Sequence, residues 1–397
     1  MAGESRGSIA FFATYRPPVP LDVFSCPVAP LLSSQRDELH LTDGVSYNHS
    51  CRPIPAAALR ALLQRPKLAT EATTADVDAG RVTGLVFVSE RDSGLETLHV
   101  ALRFDGGKQV KVFGLADIFG AGGDFSGVRM EDSGCFGGGY RERGRVVDHT
   151  LVVAVASWQG KPGLWDGEIE DLSTDIYVMN VHKPPLGRTG PVVKNGGWPT
   201  WGSDDVIFFH RRVGTTWGVF RFSMSTGEEA RVTPEEFDAV TPAAISETKV
   251  AVATIRRKSQ FSDVRVEEQY RHIEIFDVAS PEKPVKSPHK DVGLFRVSGV
   301  CPTISKDGSK LAFVDNEFKA VWLADSHGLR VVYEKKGPNS VFSTAWNQNP
   351  ALDTLYVCVG PSFSADKPLQ IYAIHDFLSI PTDPSELSAR SAAGYMK

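Results

Sequence analysis

At 397 residues, with 42% hydrophobic and 23% charged side chains, the chain has enough apolar surface for one large domain or several ordinary ones, which excludes a disordered protein. A net charge of −5 offers nothing to attract a phosphate backbone or an anionic membrane, so no nucleic-acid partner and no membrane are expected. The five cysteines form no C-x-x-C pair, no apolar stretch ahead of Phe11 suits a signal peptide, and no run approaches about twenty apolar residues, so the expected address is cytoplasmic.

Along the chain the apolar residues come in short runs that alternate with period two and favour Val, Ile, Phe, Tyr and Thr, the pattern of half-buried strands. Ile9-Ala-Phe-Phe-Ala-Thr-Tyr, Asp22-Val-Phe-Ser and Glu38-Leu-His-Leu open the series. Val45-Ser-Tyr-Asn-His follows, and then the Ala- and Leu-rich stretch from Pro55 to Arg65 predicts one inserted helix. Strand patterns resume at Gly84-Leu-Val-Phe-Val, Leu98-His-Val-Ala-Leu and Gln109-Val-Lys-Val-Phe. The next unit departs from its neighbours: Gly127-Val-Arg-Met-Glu-Asp-Ser-Gly is polar where other units are apolar, and a Gly-rich stretch follows to Gly144.

From Trp198 onward a motif repeats: Trp198-Pro-Thr-Trp, Thr241-Pro-Ala-Ala, Cys301-Pro-Thr-Ile and Ser343-Thr-Ala-Trp each precede a polar turn and an apolar run. After each copy comes a second alternating run, such as Trp217-Gly-Val-Phe-Arg-Phe or His272-Ile-Glu-Ile-Phe-Asp-Val. A period of roughly forty to fifty residues, with several short strands in each, describes a β-propeller blade. The expected fold is therefore all-β, a propeller of six or seven four-stranded blades with seven preferred, forming a single domain over residues 1–397 closed by N- and C-terminal strands.

Gly197-Trp-Pro-Thr-Trp-Gly-Ser-Asp-Asp and Cys301-Pro-Thr-Ile-Ser-Lys-Asp-Gly resemble the repeat of TolB-like and dipeptidyl-peptidase-type propellers. Phe12-Ala-Thr-Tyr-Arg-Pro-Pro, Arg129-Met-Glu-Asp-Ser-Gly-Cys-Phe and Trp165-Asp-Gly-Glu-Ile-Glu-Asp look like plant proteins related to that propeller domain. The likeness covers nearly the whole chain, and it implies fold more than function, because propellers host many activities. The peptidases carry an α/β-hydrolase domain with a G-x-S-x-G nucleophile elbow, whereas Gly123-Asp-Phe-Ser-Gly has its serine one place off. The resemblance therefore implies a propeller lacking the hydrolase domain, and peptidase activity of that type is not carried over.

Chemistry is sought first in the polar interruption. Arg129, Glu131, Asp132 and Ser133 replace Pro, Trp and Ala, and two carboxylates on an inner strand must face water, pair with Arg129 or bind something. His49 is a candidate general base for water or for the Ser133 hydroxyl, against the plainer reading of a histidine hydrogen-bonded within the sheet. His149, beside Asp148, is an alternative. Tyr47, Trp158, Trp198, Trp201 and Trp346 supply aromatic surface to line a pocket, although packing between blades is the competing role. The loop from Trp158 to Asp175 is the candidate lid; its Glu168, Glu170 and Asp171 leave a divalent metal open, but no cofactor is required.

Two functions stand in competition. One is a hydrolase cleaving a small-molecule ester or lactone, for which plant resemblance implies aromatic or specialised defence metabolites. The other is a non-catalytic propeller binding a protein partner or a small ligand.

Overall fold

Short alternating runs separated by turn residues fold back on themselves as antiparallel hairpins, and this is how most of the described residues are organised. The computed structural model describes residues 8–13, 22–27, 39–41, 46, 48–89, 91, 97–104, 109–120, 130–136, 140–142, 145–147, 152–158, 174–180, 190–256, 272–279, 299–315, 317–335, 339–347, 353–361 and 370–379. The chain divides into two compact units, Met1–Asp204 and Asp205–Lys397, and each is taken by itself.

In the first unit, β1 (Ser8–Ala13), β2 (Asp22–Pro27) and β3 (Leu39–His40) form a three-stranded sheet. β4 (Asn48–Pro53), β5 (Val82–Ser89), β6 (Thr97–Phe104) and β7 (Gln109–Gly114) form a four-stranded meander. β8 (Met130–Phe136) pairs with β11 (Val152–Trp158) and β11 with β12 (Thr174–Asn180), while β9 (Tyr140–Glu142) and β10 (Arg145–Val147), among the described residues, pair only with each other. β13 (Gly197–Trp201) completes this unit.

Helices gather on the β4–β7 sheet. The Pro55 to Arg65 stretch yields α1 (Ala56–Leu62), and α2 (Pro66–Ala69), α3 (Thr74–Asp78) and, after β7, α4 (Leu115–Phe119) join it. Ala58, Leu59, Leu62, Leu68, Val77 and Ile118 bury their side chains with Val86, Val88 and Val100 of the sheet. Gly84 permits this approach: a Cβ there would stand 3.0 Å from Ile54 Cδ1 and 3.1 Å from Leu59 Cδ1. At the start of α3, Asp76 accepts from the Thr73 N–H and hydroxyl at 2.8 and 2.6 Å, so a capping box fixes where the helix begins.

In the second unit, β14 (Val206–Val213), β15 (Thr216–Ser223) and β16 (Glu229–Arg231) run in order. They are followed by the sheet of β17 (Phe237–Ala244), β18 (Lys249–Arg256) and β19 (His272–Asp277). β20 (Gly299–Ile304), β21 (Leu311–Asp315), β22 (Ala320–Asp325) and β23 (Gly328–Glu334) make a four-stranded meander. β24 (Asn339–Trp346), β25 (Leu355–Pro361) and β26 (Gln370–Ile374) make a three-stranded one, and a 3-10 turn at Phe377–Ser379 closes the described residues. Val206, Phe208, Val219, Val250, Val252 and Phe276 fill the space between the first two sheets.

Sequential antiparallel sheets whose first strands neighbour one another, as β17, β20 and β24 do, are arranged as propeller blades are, so the all-β propeller expectation fits. Six or seven four-stranded blades do not fit. Among the described residues, apart from the two-stranded β9–β10 pair, the sheets carry three to four strands, four being reached within the first unit at β4–β7 and within the second at β20–β23.

The repeated x-Pro motif has a physical cause. In β17, Val240 faces Ala253 and Ala243 faces Ala251, so Thr241 and Pro242 together oppose one residue, Val252. In β20, Cys301 and Pro302 likewise oppose Phe313. This two-against-one pairing is a β-bulge, a place where a residue without an N–H costs no ladder bond.

Candidate functional site

Three first strands of the first unit lie side by side, β4 next to β8 and β8 next to β13. Two of them carry the bulge. On β4, His49 faces Val88 and Arg52 faces Val86, leaving Ser50 and Cys51 opposite Phe87 alone. On β8, Ser133 faces Ala156 and Glu131 faces Ser157, so Asp132 is the extra residue. The backbone thus sets His49 directly ahead of one bulge and puts Glu131, Asp132 and Ser133 around the other, on neighbouring strands. Bulges re-aim side chains and recur beside active sites.

Around these positions the described side chains are packed. Asn48 is fully buried, and its amide donates to the Ser46 carbonyl at 2.6 Å. Phe87, opposite the β4 bulge, is 1% exposed, with the His99 ring 5.9 Å away. Burial pushes the Cys51 thiol upward against the pull of the Arg52 charge, and burial raises Cys358 to about 11. Both are free thiols held protonated near neutral pH, the state of an inert structural cysteine rather than a nucleophile.

Trp198, the second residue of β13, has φ of +52° and is 36% exposed. A bulky residue before proline seldom takes this left-handed backbone, which costs about 1–3 kcal/mol and persists only where its surroundings enforce it. The segment ahead of it is pinned to β12: Val193 bridges Ile176, the Asn195 N–H donates to Asp175 Oδ1 at 2.8 Å, and the Gly196 N–H donates to the Thr174 carbonyl at 2.6 Å. The Thr174 hydroxyl donates to the Gly196 carbonyl at 2.8 Å. Trp201, partly buried, ends the same strand.

The remaining candidates separate. Trp158 ends β11, one strand further into the sheet than β8, and pairs with Met130 and Thr174. Trp346 belongs to the second unit and is 5% exposed, with its ring 5.5 Å from that of Phe377 and its Nε1–H donating to the Thr303 carbonyl at 3.2 Å. It is core, packed between sheets, and has no free face for a ligand. Arg129, Tyr47, Asp148, His149 and the acids Glu168, Glu170 and Asp171 lie outside the described residues. Among the described residues no group of three or more His, Cys, Asp or Glu could hold a metal ion, and no helix is long and apolar enough to cross a membrane.

Sequence reasoning overlooked the strained turns. Thr241 matches Trp198, with φ of +49° before Pro242, and its N–H donates to His210 Nδ1 at 3.2 Å. The shared x-Pro dipeptide was the available signal. The chain also contains a G-x-S-x-G string, Gly3-Glu-Ser-Arg-Gly, which stands ahead of β1 and outside the described residues. A nucleophile elbow follows a strand and opens a helix, whereas the next element after this string is β1.

No protein-family model and no curated protein matches the chain. Solved structures do. A puromycin hydrolase aligns with a TM-score of 0.54 at 10% identity, covering 95% of this chain and 51% of that one. An acylaminoacyl peptidase in complex with Z-Gly-Gly-Phe-chloromethyl ketone aligns at 0.52 and 10%, covering 93% and 49%. The acylaminoacyl peptidase of Pyrococcus horikoshii aligns at 0.51 and 10%, also covering 93% and 49%. The chain spans about half the length of these structures. At such low identity the likeness establishes a β-propeller fold of the kind these peptidases contain.

Proposed function

We propose that the protein is a hydrolase of small esters or lactones, with His49 as general base and Ser133, or a water in its place, as nucleophile. Arg129, Glu131 and Asp132 orient the pair and stabilise developing charge. The observation that carries this reading is the adjacency of β4 and β8, each bulged at the residues concerned. Similarity in fold to hydrolytic peptidases is consistent with it. The wider setting, a plant enzyme acting on specialised or defence metabolites, rests on resemblance alone, and the cytoplasmic address rests on the spacing of the five cysteines.

The test is turnover of an aryl-ester and lactone panel by the purified protein beside His49→Ala and Ser133→Ala. Loss of roughly 100-fold or more in His49→Ala is expected of a general base. Equal turnover in all three proteins sinks the proposal.

A non-catalytic binding propeller is the second reading. The recurrence of the bulge in β17 and β20, where no carboxylate or histidine occupies it, favours this reading, because it makes the bulge part of the repeat.

A further inference from the structure

Asn195-Gly196 is the sole Asn-Gly dipeptide in the sequence. A glycine after asparagine has no Cβ to shield its peptide nitrogen, so that nitrogen can close on the asparagine carboxamide. The ring-forming step joins the Gly196 nitrogen to Asn195 Cγ and breaks the Cγ–Nδ2 bond, and ammonia leaves with the amide proton. Water then opens the five-membered imide at either carbonyl, to aspartate or to isoaspartate, and no other reactant is consumed.

The fold puts a clasp on that nitrogen. Asn195 is exposed, but Gly196 is buried, and its N–H donates to the Thr174 carbonyl at 2.6 Å. The Thr174 hydroxyl returns a bond to the Gly196 carbonyl at 2.8 Å, and the Asn195 N–H donates to Asp175 Oδ1 at 2.8 Å. A peptide nitrogen must shed its proton to attack, as it must to exchange hydrogen with solvent. A buried amide bonded in this way does so only when its segment opens.

We infer that Asn195 is a deamidation site of this protein, closed while Thr174 holds Gly196 and open when the stretch between β12 and β13 parts from β12. Conversion also damages its own guard. Isoaspartate adds a methylene to the main chain, so the N–H groups of 195 and 196 can no longer meet Asp175 and Thr174 together. The aspartate product brings a second carboxylate onto the residue whose N–H the Asp175 carboxylate already holds, and like charges at that range repel.

The test ages the full chain at mildly alkaline pH, folded and in urea, and follows the amide-to-acid mass gain of the peptide carrying Asn195. In urea Asn195 is expected to convert ahead of every other asparagine, since it alone precedes glycine. The folded protein is expected to convert at least about 10-fold more slowly, with the Gly196 N–H protected from hydrogen exchange, and converted molecules lose that protection. Thr174→Val removes the hydroxyl's bond and keeps the carbonyl; losing one hydrogen bond speeds conversion of the folded protein about 2- to 10-fold. Equal rates in folded and urea-unfolded wild type overturn the inference without reference to any variant. So do faster conversion at another asparagine in urea, protection retained after conversion, or a folded Thr174→Val that converts no faster than wild type. If Thr174→Val fails to fold, the wild-type pair alone decides.

Discussion

Arg330 grips Asp325 with both arms of its guanidinium, Nη1 donating to Oδ1 at 2.8 Å and Nη2 to Oδ2 at 2.9 Å. The two lie across the β22–β23 turn and are 3% and 5% exposed, and the same Nη2 donates to the Phe377 carbonyl at 3.2 Å. One side chain therefore ties a hairpin to the C-terminal turn. Arg330→Met leaves Asp325 buried without its guanidinium partner, with only the exposed His327 ring 3.7 Å away, and a loss of about 3–5 kcal/mol is expected in denaturant unfolding. The double variant with Asp325→Leu recovers most of it; a single-variant loss below about 1 kcal/mol removes the pair's claim to hold the turn.

Acid should unpick the carboxylate turns in a definite window. Burial pushes Asp307 upward, but the Ser305 and Ser309 hydroxyls, the Ser309 N–H and Lys310 outweigh it and hold the carboxyl down to about 2, below its ordinary 3.8. Asp325 is lowered too, burial being outweighed by Arg330 and the His327 N–H. A group depressed on folding contributes stability that is complete above its unfolded pKa and lost as pH falls through its folded one. Thermal midpoints should thus hold above pH 4 and drop between about 4 and 2. Asp307→Asn should flatten that drop; an identical slope would show that the serine clamp does not respond to acid.

The helical layer depends on one missing methyl. Gly84→Val would drive a branched side chain into Ile54 and Leu59, which already come within 3.1 Å of an added Cβ. Overpacking of this kind costs about 1–3 kcal/mol. Leu59→Ala, from a side chain 1% exposed, should cost about 2–5 kcal/mol. Chemical unfolding of the pair in combination is expected to be less damaging than the sum, because the cavity left by Leu59 receives the valine.

Glycine should be welcome at 241. The backbone there is left-handed at +49°, and the Thr241 hydroxyl is buried without a hydrogen-bond partner. Thr241→Gly removes both penalties at an entropic cost of about 0.5–1 kcal/mol. Stability equal to or above wild type is expected by denaturant titration; a loss beyond about 2 kcal/mol would mean that the threonine methyl packs in a way that outweighs them.

The repeat was legible because Trp198-Pro, Thr241-Pro and Cys301-Pro stand at equivalent places, and the helix because Ala56 to Leu62 has no competing pattern. The meaning of the prolines was not, since a bulge is a property of two strands in register and only one is visible in a motif. α2 and α3 were overlooked although Thr73 and Asp76 spell a capping box, because each helix is shorter than the window that periodicity needs. Four-stranded blades were inferred from the units with four clear runs and extended to those with fewer. Trp346 looked like a lining residue because its motif matched that of Trp198; nothing in a single strand tells which face meets Phe377.

A propeller strand that pairs on one side only leaves a row of backbone donors and acceptors on the other, open to any extended peptide that meets it. Kinking such strands where Pro242 and Pro302 sit, and where Asp132 stands unmatched, breaks that row into pieces too short to template a foreign strand. The irregularity that gave the repeat its signature would then also guard the protein against polymerising through its own edges.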